Sequence, residues 1–542
     1  MQRIAIIGSG PTGLYTLAGL IECGVPLSIT LYESRKVAGV GMPFDEHNNH
    51  SVMLANIASI EIPPLACSYL DWLQDQSHVF LSKYRVKKES LHDRQFLPRV
   101  LLGHYFHNQL QRLIERGQNN GHHICVQESS TVVDLDAQSC CRLWVEGQAE
   151  PAEFDFIVVA TGHSWPSESK NKPGYFASPW SGLIESDIPA ASIGIRGASL
   201  SGIDAAMAVA VQHGHFVEQR NSTENDLQFK VKPASVDLNI TLMSRSGILP
   251  EADFYCPIPH QPLTIATPEA VSREIGETSE GLLDRVFSLM VRELQLNAPE
   301  WSERIALQTL NANNFPDAYF LSRKEHNPFN WAKKNLDEVI DNKRNRHTVA
   351  WRYTLLRLHE AIEPAVTHFN AKDRQRFKQG LKRVFIDNYA AVPPESIRRI
   401  LALRRAGVID VKALGDEYEL ETRSGKTIIQ TDHEQLSFDV FIEARGQKAA
   451  SLEDFPFPRL RNQLLKEHYT KPPINDDFTL ALPNSQGERI ALVALPYLMP
   501  IKPFVQGITV CAEMAEAVSK SFIARISQSD LNERKLDGVA ND

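Results

Sequence analysis

The chain has 542 residues, and at roughly 150 residues per domain it should fold into about three domains. It is 43% hydrophobic and 23% charged, the composition of a globular protein, and no run of about 18 apolar residues predicts a membrane span. A formal net charge of −9 excludes a protein that grips nucleic acid through phosphates, because no basic surplus exists to displace counterions.

The seven cysteines are Cys23, Cys67, Cys125, Cys140, Cys141, Cys256 and Cys511, with no CxxC pair. The sequence therefore signals neither a zinc site nor a redox dithiol, and no metal is expected. Met1 to Gly8 run straight into a strand without a charged leader, so a cytoplasmic protein is expected.

Ile4 to Ile7 read as a short buried strand, followed by Gly8-Ser9-Gly10-Pro11-Thr12-Gly13 and a helix over Leu14 to Ile21. This is a GxGxxG turn in the strand-turn-helix context of a dinucleotide fold. Gly8 permits the turn, Gly10 lets the backbone approach a pyrophosphate, and Gly13 lets helix and strand pack closely. Pro11 and Thr12 complete the turn ahead of the helix, whose N-terminus offers free N–H groups and a positive dipole end to the phosphates. A second strand, Leu27 to Tyr32, ends in Glu33, twenty residues after Gly13. A carboxylate there accepts hydrogen bonds from both ribose hydroxyls and repels a 2′-phosphate, which suits FAD or NAD rather than NADP. The bland reading of Glu33 is an exposed strand end.

Phe154 to Gly162 is an apolar strand ending in Ala160-Thr161-Gly162, and Phe438 to Gly446 repeats its layout with the same Asp-to-Gly spacing. The echo points to close backbone packing where each strand end meets a ligand, which adds Gly446 to the candidates.

Ser192 to Arg196 form another strand, followed by Gly197-Ala198-Ser199-Leu200-Ser201-Gly202 and an Ala-rich helix over Ile203 to Val211. Ser199 replaces the middle glycine and narrows the approach to a pyrophosphate. The next strand, Asn239 to Met243, ends in Ser244-Arg245-Ser246, after a polar stretch over Glu218 to Ser235 that reads as an inserted loop. Arg245 between two serines suits a 2′-phosphate, so NADPH is preferred to NADH. The alternative is an exposed arginine paired with a nearby carboxylate.

From about 263 to 405 apolar residues recur at helical spacing, as in Leu282, Leu283, Val286 and Met290. Such a helical region could close over a cofactor as a substrate cap. His347, Arg352 and His359 are candidates for binding an anionic substrate, each with a structural role as the alternative.

GSGPTG, Glu33 and VVATGH resemble the flavoproteins with two dinucleotide-binding domains, and ATGHSWP is similar to class B flavin monooxygenases, including amine N-hydroxylases. Over nearly its whole length the chain resembles bacterial FAD/NAD(P)-binding proteins of the YdhS type, through GVGMPF, MLANIASIEIPP, LHDRQFLPR, GILPEADFYCPIP, VFIDNYAA and PFVQG. The resemblance implies further contacts. The glycine-rich loop containing Gly41 would lie along the FAD pyrophosphate. Asn56 would approach the flavin ring or substrate, or only form a turn. Arg94 or Arg99, on a helix ending near Tyr105, would lie near the flavin, or stand exposed. Gly507 and Ile508, before a helix over Val510 to Ile523, would border the flavin pyrimidine.

The expected fold class is α/β: two Rossmann-like dinucleotide-binding domains, for FAD and NADP, with a helical insertion. The FAD domain would be formed by 1–166 and 406–542, the nicotinamide domain by 167–262 and the insertion by 263–405. The expected cofactors are FAD and NADPH, and the expected partner is a small-molecule substrate. The leading reaction is a flavin monooxygenase, with amine N-hydroxylation as one form. The alternatives are an FAD dehydrogenase or reductase and a non-catalytic flavin-binding protein. Against a monooxygenase, Ser178 stands where the class B pattern carries a histidine. The sequence assigns no catalytic residue.

Overall fold

Among the described residues, two five-stranded parallel sheets of the same internal design frame the molecule. The computed structural model describes residues 1–137, 141–166, 168–218, 227–483, 487–505 and 507–539, with side chains described through residue 527. In chain order the strands are β1 (Gln2–Ile7), β2 (Leu27–Tyr32), β3 (His123–Gln127), β4 (Val132–Asp136), β5 (Cys141–Val145), β6 (Ala152–Phe154), β7 (Phe156–Val159), β8 (Tyr175–Phe176) and β9 (Ser192–Arg196). They continue with β10 (Gly214–Glu218), β11 (Leu227–Val231), β12 (Asn239–Ser244), β13 (Ile409–Ala413), β14 (Glu419–Arg423), β15 (Lys426–Gln430), β16 (Gln435–Phe438), β17 (Val440–Glu443) and β18 (Ile490–Leu492).

The first sheet runs β3–β2–β1–β7–β18 and the second β13–β12–β9–β17–β8. In each, the strand before the glycine turn pairs with the strand after the helix on one side and with the closing strand on the other. A three-stranded antiparallel meander precedes each closing strand, β4–β5–β6 before β7 and β14–β15–β16 before β17. The repeated Phe-Asp pair has one job in both copies. Asp155 N–H donates to the Arg3 carbonyl while its carboxylate accepts from Arg3 N–H, both at 2.8 Å. Asp439 does the same with Ser192, at 2.9 and 3.3 Å. Each aspartate thus starts its closing strand in register, at the cost of one side chain and no extra element.

This pairing corrects the sequence reading, which grouped everything from 406 onward with the first fold. β13 and β17 belong to the second sheet, so Gly8–Gly13 and Phe438–Gly446 lie on different sheets. The spacing echo marks the same local role in two copies of a fold, not two strands of one sheet. The chain rejoins the first sheet at β18 and ends in the helix Ile508–Val539, which packs on the helix Pro11–Leu20. Gly19 makes that contact close: a Cβ there would lie 2.5 Å from Ser519 Oγ.

The polar stretch after the second helix is a hairpin, β10 against β11, whose 219–226 connection lies outside the described residues, as does Cys140. Between β12 and β13 the elements are helices, from Pro268–Glu277 to Pro394–Arg405. Their core of Leu283, Val286, Met290, Leu355, Leu358 and Phe385 also receives Phe504 from the C-terminal part. Removing such aliphatic side chains from water stabilises by about 1.5–3 kcal/mol each.

The GILPEADF segment joins these helices to the second fold. Buried Glu251 accepts from Trp331 Nε1 at 2.8 Å and forms an ion pair with Arg352. Arg323 Nη2 donates to the Leu249 carbonyl at 2.6 Å, and Ala252 N–H donates to Asn335 Oδ1 at 2.7 Å. Arg352 is therefore spent on Glu251, and His347 stands exposed on the surface. None of the three candidates for an anionic substrate lines the cavity described below, since His359 is packed against Tyr389 and Phe504.

Candidate functional site

The first glycine turn separates what the protein needs from what a ligand needs. Gly8 has φ +99°, and a Cβ there would lie 2.4 Å from the Ala160 carbonyl oxygen. A Cβ on Gly13 would lie 2.1 Å from the Gly8 carbonyl oxygen. Packing of turn, strand and helix alone demands both glycines. At Gly10 the nearest atom to a Cβ would be Gly41 Cα, at 3.4 Å. Gly10 instead lines a cavity of about 730 Å³, so a side chain there would fill ligand space. The helix beyond it starts without a side-chain cap, leaving its first N–H groups free for phosphate. These residues fit a dinucleotide pyrophosphate.

The cavity extends both ways from this turn. At one end lie Glu33, Ser34, Arg35, Ser130 and Thr131. Glu33 is buried, and its carboxylate accepts from Ser9 Oγ at 2.6 Å and from Arg35 N–H at 3.0 Å, which fixes it at the end of β2. The middle is formed by Gly8, Gly10, Pro11, Thr12 and Gly41 against Ala160, Thr161 and Gly162. Gly507 and Ile508, where the C-terminal helix begins, also line the cavity. Gln506 of the PFVQG motif lies outside the described residues.

Other candidates stand elsewhere. Gly13 serves packing, and Asn56 is half-buried away from the cavity lining. The helix expected to end near Tyr105 starts at Arg99 and continues to Asn119, because buried Leu110 and Leu113 extend its apolar face. Arg99 pairs across the two folds with Asp204 of the second helix, at 2.7 Å. It also donates to the Leu54 carbonyl at 3.3 Å and lies 5.5 Å from the Trp180 ring centre. Burial pushes the Asp204 carboxyl up from its ordinary value, and Arg99 opposes that shift. Arg94 donates to the Cys256 carbonyl at 2.9 Å.

The sequence reading missed His163, Trp165 and Trp180, which form a run of rings on the cavity wall. ATGHSWP contained the first two, but the signal that assembles them is the chain crossing between sheets, which is not local. Ser178 is buried, and its hydroxyl bonds to Ser181 Oγ at 2.6 Å.

The second turn repeats the first. A Cβ on Gly197 would lie 2.3 Å from the Ala444 carbonyl oxygen, and one on Gly202 would lie 2.1 Å from that of Gly197. Ser199, in Gly10's place, is exposed and caps no helix N–H. Gly8 N–H donates to the Tyr32 carbonyl, and Gly197 N–H to that of Met243. Ser244 therefore occupies the place of Glu33, with Arg245 next to it. Arg245 pairs with exposed Asp416 at 3.1 Å. Gly446 closes the second fold, not the first.

Comparison with known proteins agrees with this architecture. A family described as FAD-NAD(P)-binding matches residues 5–164, and one described as YdhS-like middle domain matches residues 267–389. Ornithine hydroxylase PvdA of Pseudomonas aeruginosa has a similar fold, with TM-score 0.52 and 12% identity over 97% of this chain and 100% of that one. The Kutzneria sp. 744 ornithine N-hydroxylase, with reduced FAD, NADP+ and L-ornithine, gives TM-score 0.51 and 12% identity over 97% and 100%. At that identity these likenesses concern the fold alone, which is that of flavoenzymes with two dinucleotide-binding domains. No helix among the described residues is long and apolar enough to cross a membrane. The uncharacterized protein YdhS of Escherichia coli (strain K12) is 52% identical over 530 residues, 98% of this chain and 99% of the relative. The chain belongs to the YdhS family.

Proposed function

We propose that the protein is an NADPH-dependent FAD oxidoreductase, acting as a flavin monooxygenase on a small molecule. The observation that carries the reading is one position in two copies of a fold: Glu33 in the first, Ser244 followed by Arg245 in the second. A buried carboxylate at the first site accepts from ribose hydroxyls and refuses a 2′-phosphate. The second site lacks that carboxylate and offers a guanidinium, which favours a 2′-phosphate.

In this reading Glu33 holds the adenosine of FAD, and Gly8, Gly10, Pro11 and Thr12 take its pyrophosphate. Ala160 to Gly162, Gly41, Gly507 and Ile508 border the rest. FAD supplies, when bound, a two-electron acceptor for the hydride of NADPH and a centre for oxygen chemistry. The helical region between β12 and β13 acts as the substrate cap. Phe504, three residues before Gly507, is buried beneath His359, Phe377, Phe385 and Tyr389 of that region, which ties the region to the turn that borders the cavity. The fold shared with ornithine hydroxylases makes an amine the first substrate class to test.

One observation favours a dehydrogenase or reductase instead. Ser178 is tied into a hydroxyl chain with Ser181 and the Pro166 carbonyl, so no imidazole stands at that point. The deciding experiment measures NADPH oxidation and oxygen uptake by the flavin-loaded protein, with and without a panel of amines. Amine-stimulated oxygen uptake with hydroxylated product supports the monooxygenase. Oxidation of NADPH that needs an added electron acceptor and no oxygen supports the reductase.

A further inference from the structure

The internal duplication transfers a site residue by residue, and it singles out one side chain. Ala160 N–H donates to the Ile7 carbonyl at 2.8 Å, and Ala444 N–H to the Arg196 carbonyl at 2.9 Å. Arg196 therefore matches Ile7, Glu443 matches Val159 and Arg445 matches Thr161. Thr161 lines the cavity of the first fold beside its glycine turn. The same place in the second fold carries an arginine.

The charges around it do not cancel. Glu443 accepts from Arg196 Nε at 2.8 Å and from Arg445 Nε and Nη2 at 2.8 and 3.2 Å. One carboxylate thus serves two guanidiniums and leaves a net positive charge beside Gly197. The two arginines differ in freedom. Arg196 is 13% exposed, lies against the Tyr418 and Phe441 rings, and donates to the Tyr418 hydroxyl at 3.3 Å. Arg445 is 47% exposed. A guanidinium carries five N–H donors, and the bonds to Glu443 use two of those on Arg445. In the first fold the matching residues, Ile7, Val159 and Thr161, carry no charge.

We propose that Arg445 binds the pyrophosphate of the dinucleotide held at the second turn. This rests on the reading of the second fold as a nicotinamide-dinucleotide site and adds a residue to it. It also accounts for Ser199: a turn that lets the backbone less close to the pyrophosphate gains a charged side chain from the neighbouring strand end. Arg245 and Arg445 then divide the ligand between them, the first reading the 2′-phosphate and the second the phosphates common to NADPH and NADH.

The test titrates the FAD-loaded protein with NADP+ and with NAD+, oxidised so that no turnover occurs, in wild type, Arg445→Ala, Arg445→Thr, Arg445→Lys and Arg245→Ala. Charge-assisted hydrogen bonds predict that Arg445→Ala and Arg445→Thr weaken both nucleotides by the same factor, about tenfold to a hundredfold. Arg445→Lys should restore part of the affinity, because the charge remains. FAD content should equal wild type throughout. Arg445→Thr carries the residue of the first fold, so it keeps the inference testable if the alanine variant folds poorly. Unchanged affinity for both nucleotides overturns the inference, as does a loss confined to NADP+. A wild type that binds neither nucleotide overturns the reading of the second site itself, and this inference with it.

Discussion

His163 and Gln447 occupy the same place in the two copies of the fold, each following the glycine that ends a closing strand, and they are hydrogen-bonded to each other at 2.5 Å. The chain leaves the first sheet after Gly162 and leaves the second after Gly446, so this bond ties the two crossings together. Burial holds the His163 imidazole below its ordinary value, so the neutral ring donates to the Gln447 amide oxygen. Gln447→Leu would leave that N–H buried without its acceptor, at a cost of about 1–3 kcal/mol. Gln447→Glu would instead raise the imidazole pKa, readable by NMR titration of His163. An unmoved titration and unchanged urea stability would show that the two crossings are not joined in solution.

Two glycines two residues apart in the same turn should fail in different ways. Gly8→Ala forces a Cβ onto the Ala160 carbonyl at a backbone angle that only glycine adopts freely, so it should unfold the turn. Backbone strain alone costs about 1–3 kcal/mol there. At Gly10 a Cβ meets only an ordinary contact within the protein, so Gly10→Val should fold and lose its flavin. Circular dichroism and bound-flavin absorbance, read on both variants, separate the outcomes. A Gly10→Val protein with full flavin would remove the pyrophosphate from this turn.

The Arg99–Asp204 pair joins the two folds where both side chains are nearly buried, at 12% and 9% exposure. Breaking such a pair from one side strands the other charge and costs about 3–5 kcal/mol, whereas replacing both members together costs less. Arg99→Met should therefore destabilise more than Arg99→Met with Asp204→Leu. In the single variant the Asp204 carboxyl, already raised by burial, loses the opposing charge and should rise further. The sign follows: a raised acid lends stability at low pH and loses it as pH rises through its folded value. Denaturant midpoints of wild type and Arg99→Met, compared from pH 4 to 8, should diverge as pH increases.

The first turn was legible because each of its requirements is local: a short apolar strand, three glycines and an acid twenty residues on. The membership of β17 was not, since an Asp-to-Gly spacing states a strand's start and end but not its neighbour. That neighbour, β9, lies some 250 residues upstream. Arg99 was read as a flavin-side or exposed arginine because its partner is 105 residues away on the other fold. The cavity wall of His163, Trp165 and Trp180 escaped notice for a related reason: those rings meet only once the crossing is folded.

His359 offers a pH test of the helical region. Burial lowers its imidazole to about 4, and its Nδ1 is committed to the Leu356 carbonyl while the ring stacks on Tyr389. The unfolded chain takes up a proton near pH 6.5 and the folded one does not until about pH 4. Stability contributed by the neutral ring is thus present above 6.5 and lost as pH falls, by up to about 3 kcal/mol. His359→Phe keeps the aromatic packing and removes the titration. Its urea midpoint should vary less than wild type between pH 6.5 and 4, and parallel curves would assign the acid sensitivity elsewhere.

Nicotinamide choice should follow the exchange of Glu33 for Ser244 and Arg245. On the proposed reading the guanidinium of Arg245 would gain a charge-assisted bond with a 2′-phosphate, a contact NADH cannot make. Such bonds are worth about 1.5–3 kcal/mol, or roughly tenfold to a hundredfold in affinity. The present partner, Asp416, is 77% exposed and binds Arg245 at 3.1 Å, a surface pair worth little, so the guanidinium is free to turn. Arg245→Ala should weaken NADPH strongly and NADH little. Ser244→Glu is the stricter test, since it installs the first fold's acid at the matching point: it should repel the 2′-phosphate and give NADH ribose hydroxyls an acceptor. Stopped-flow reduction of the flavin by each nucleotide reads both variants. If Ser244→Glu leaves the NADPH-to-NADH ratio where it was, then this strand end does not face the ribose, and the assignment of the second nucleotide falls.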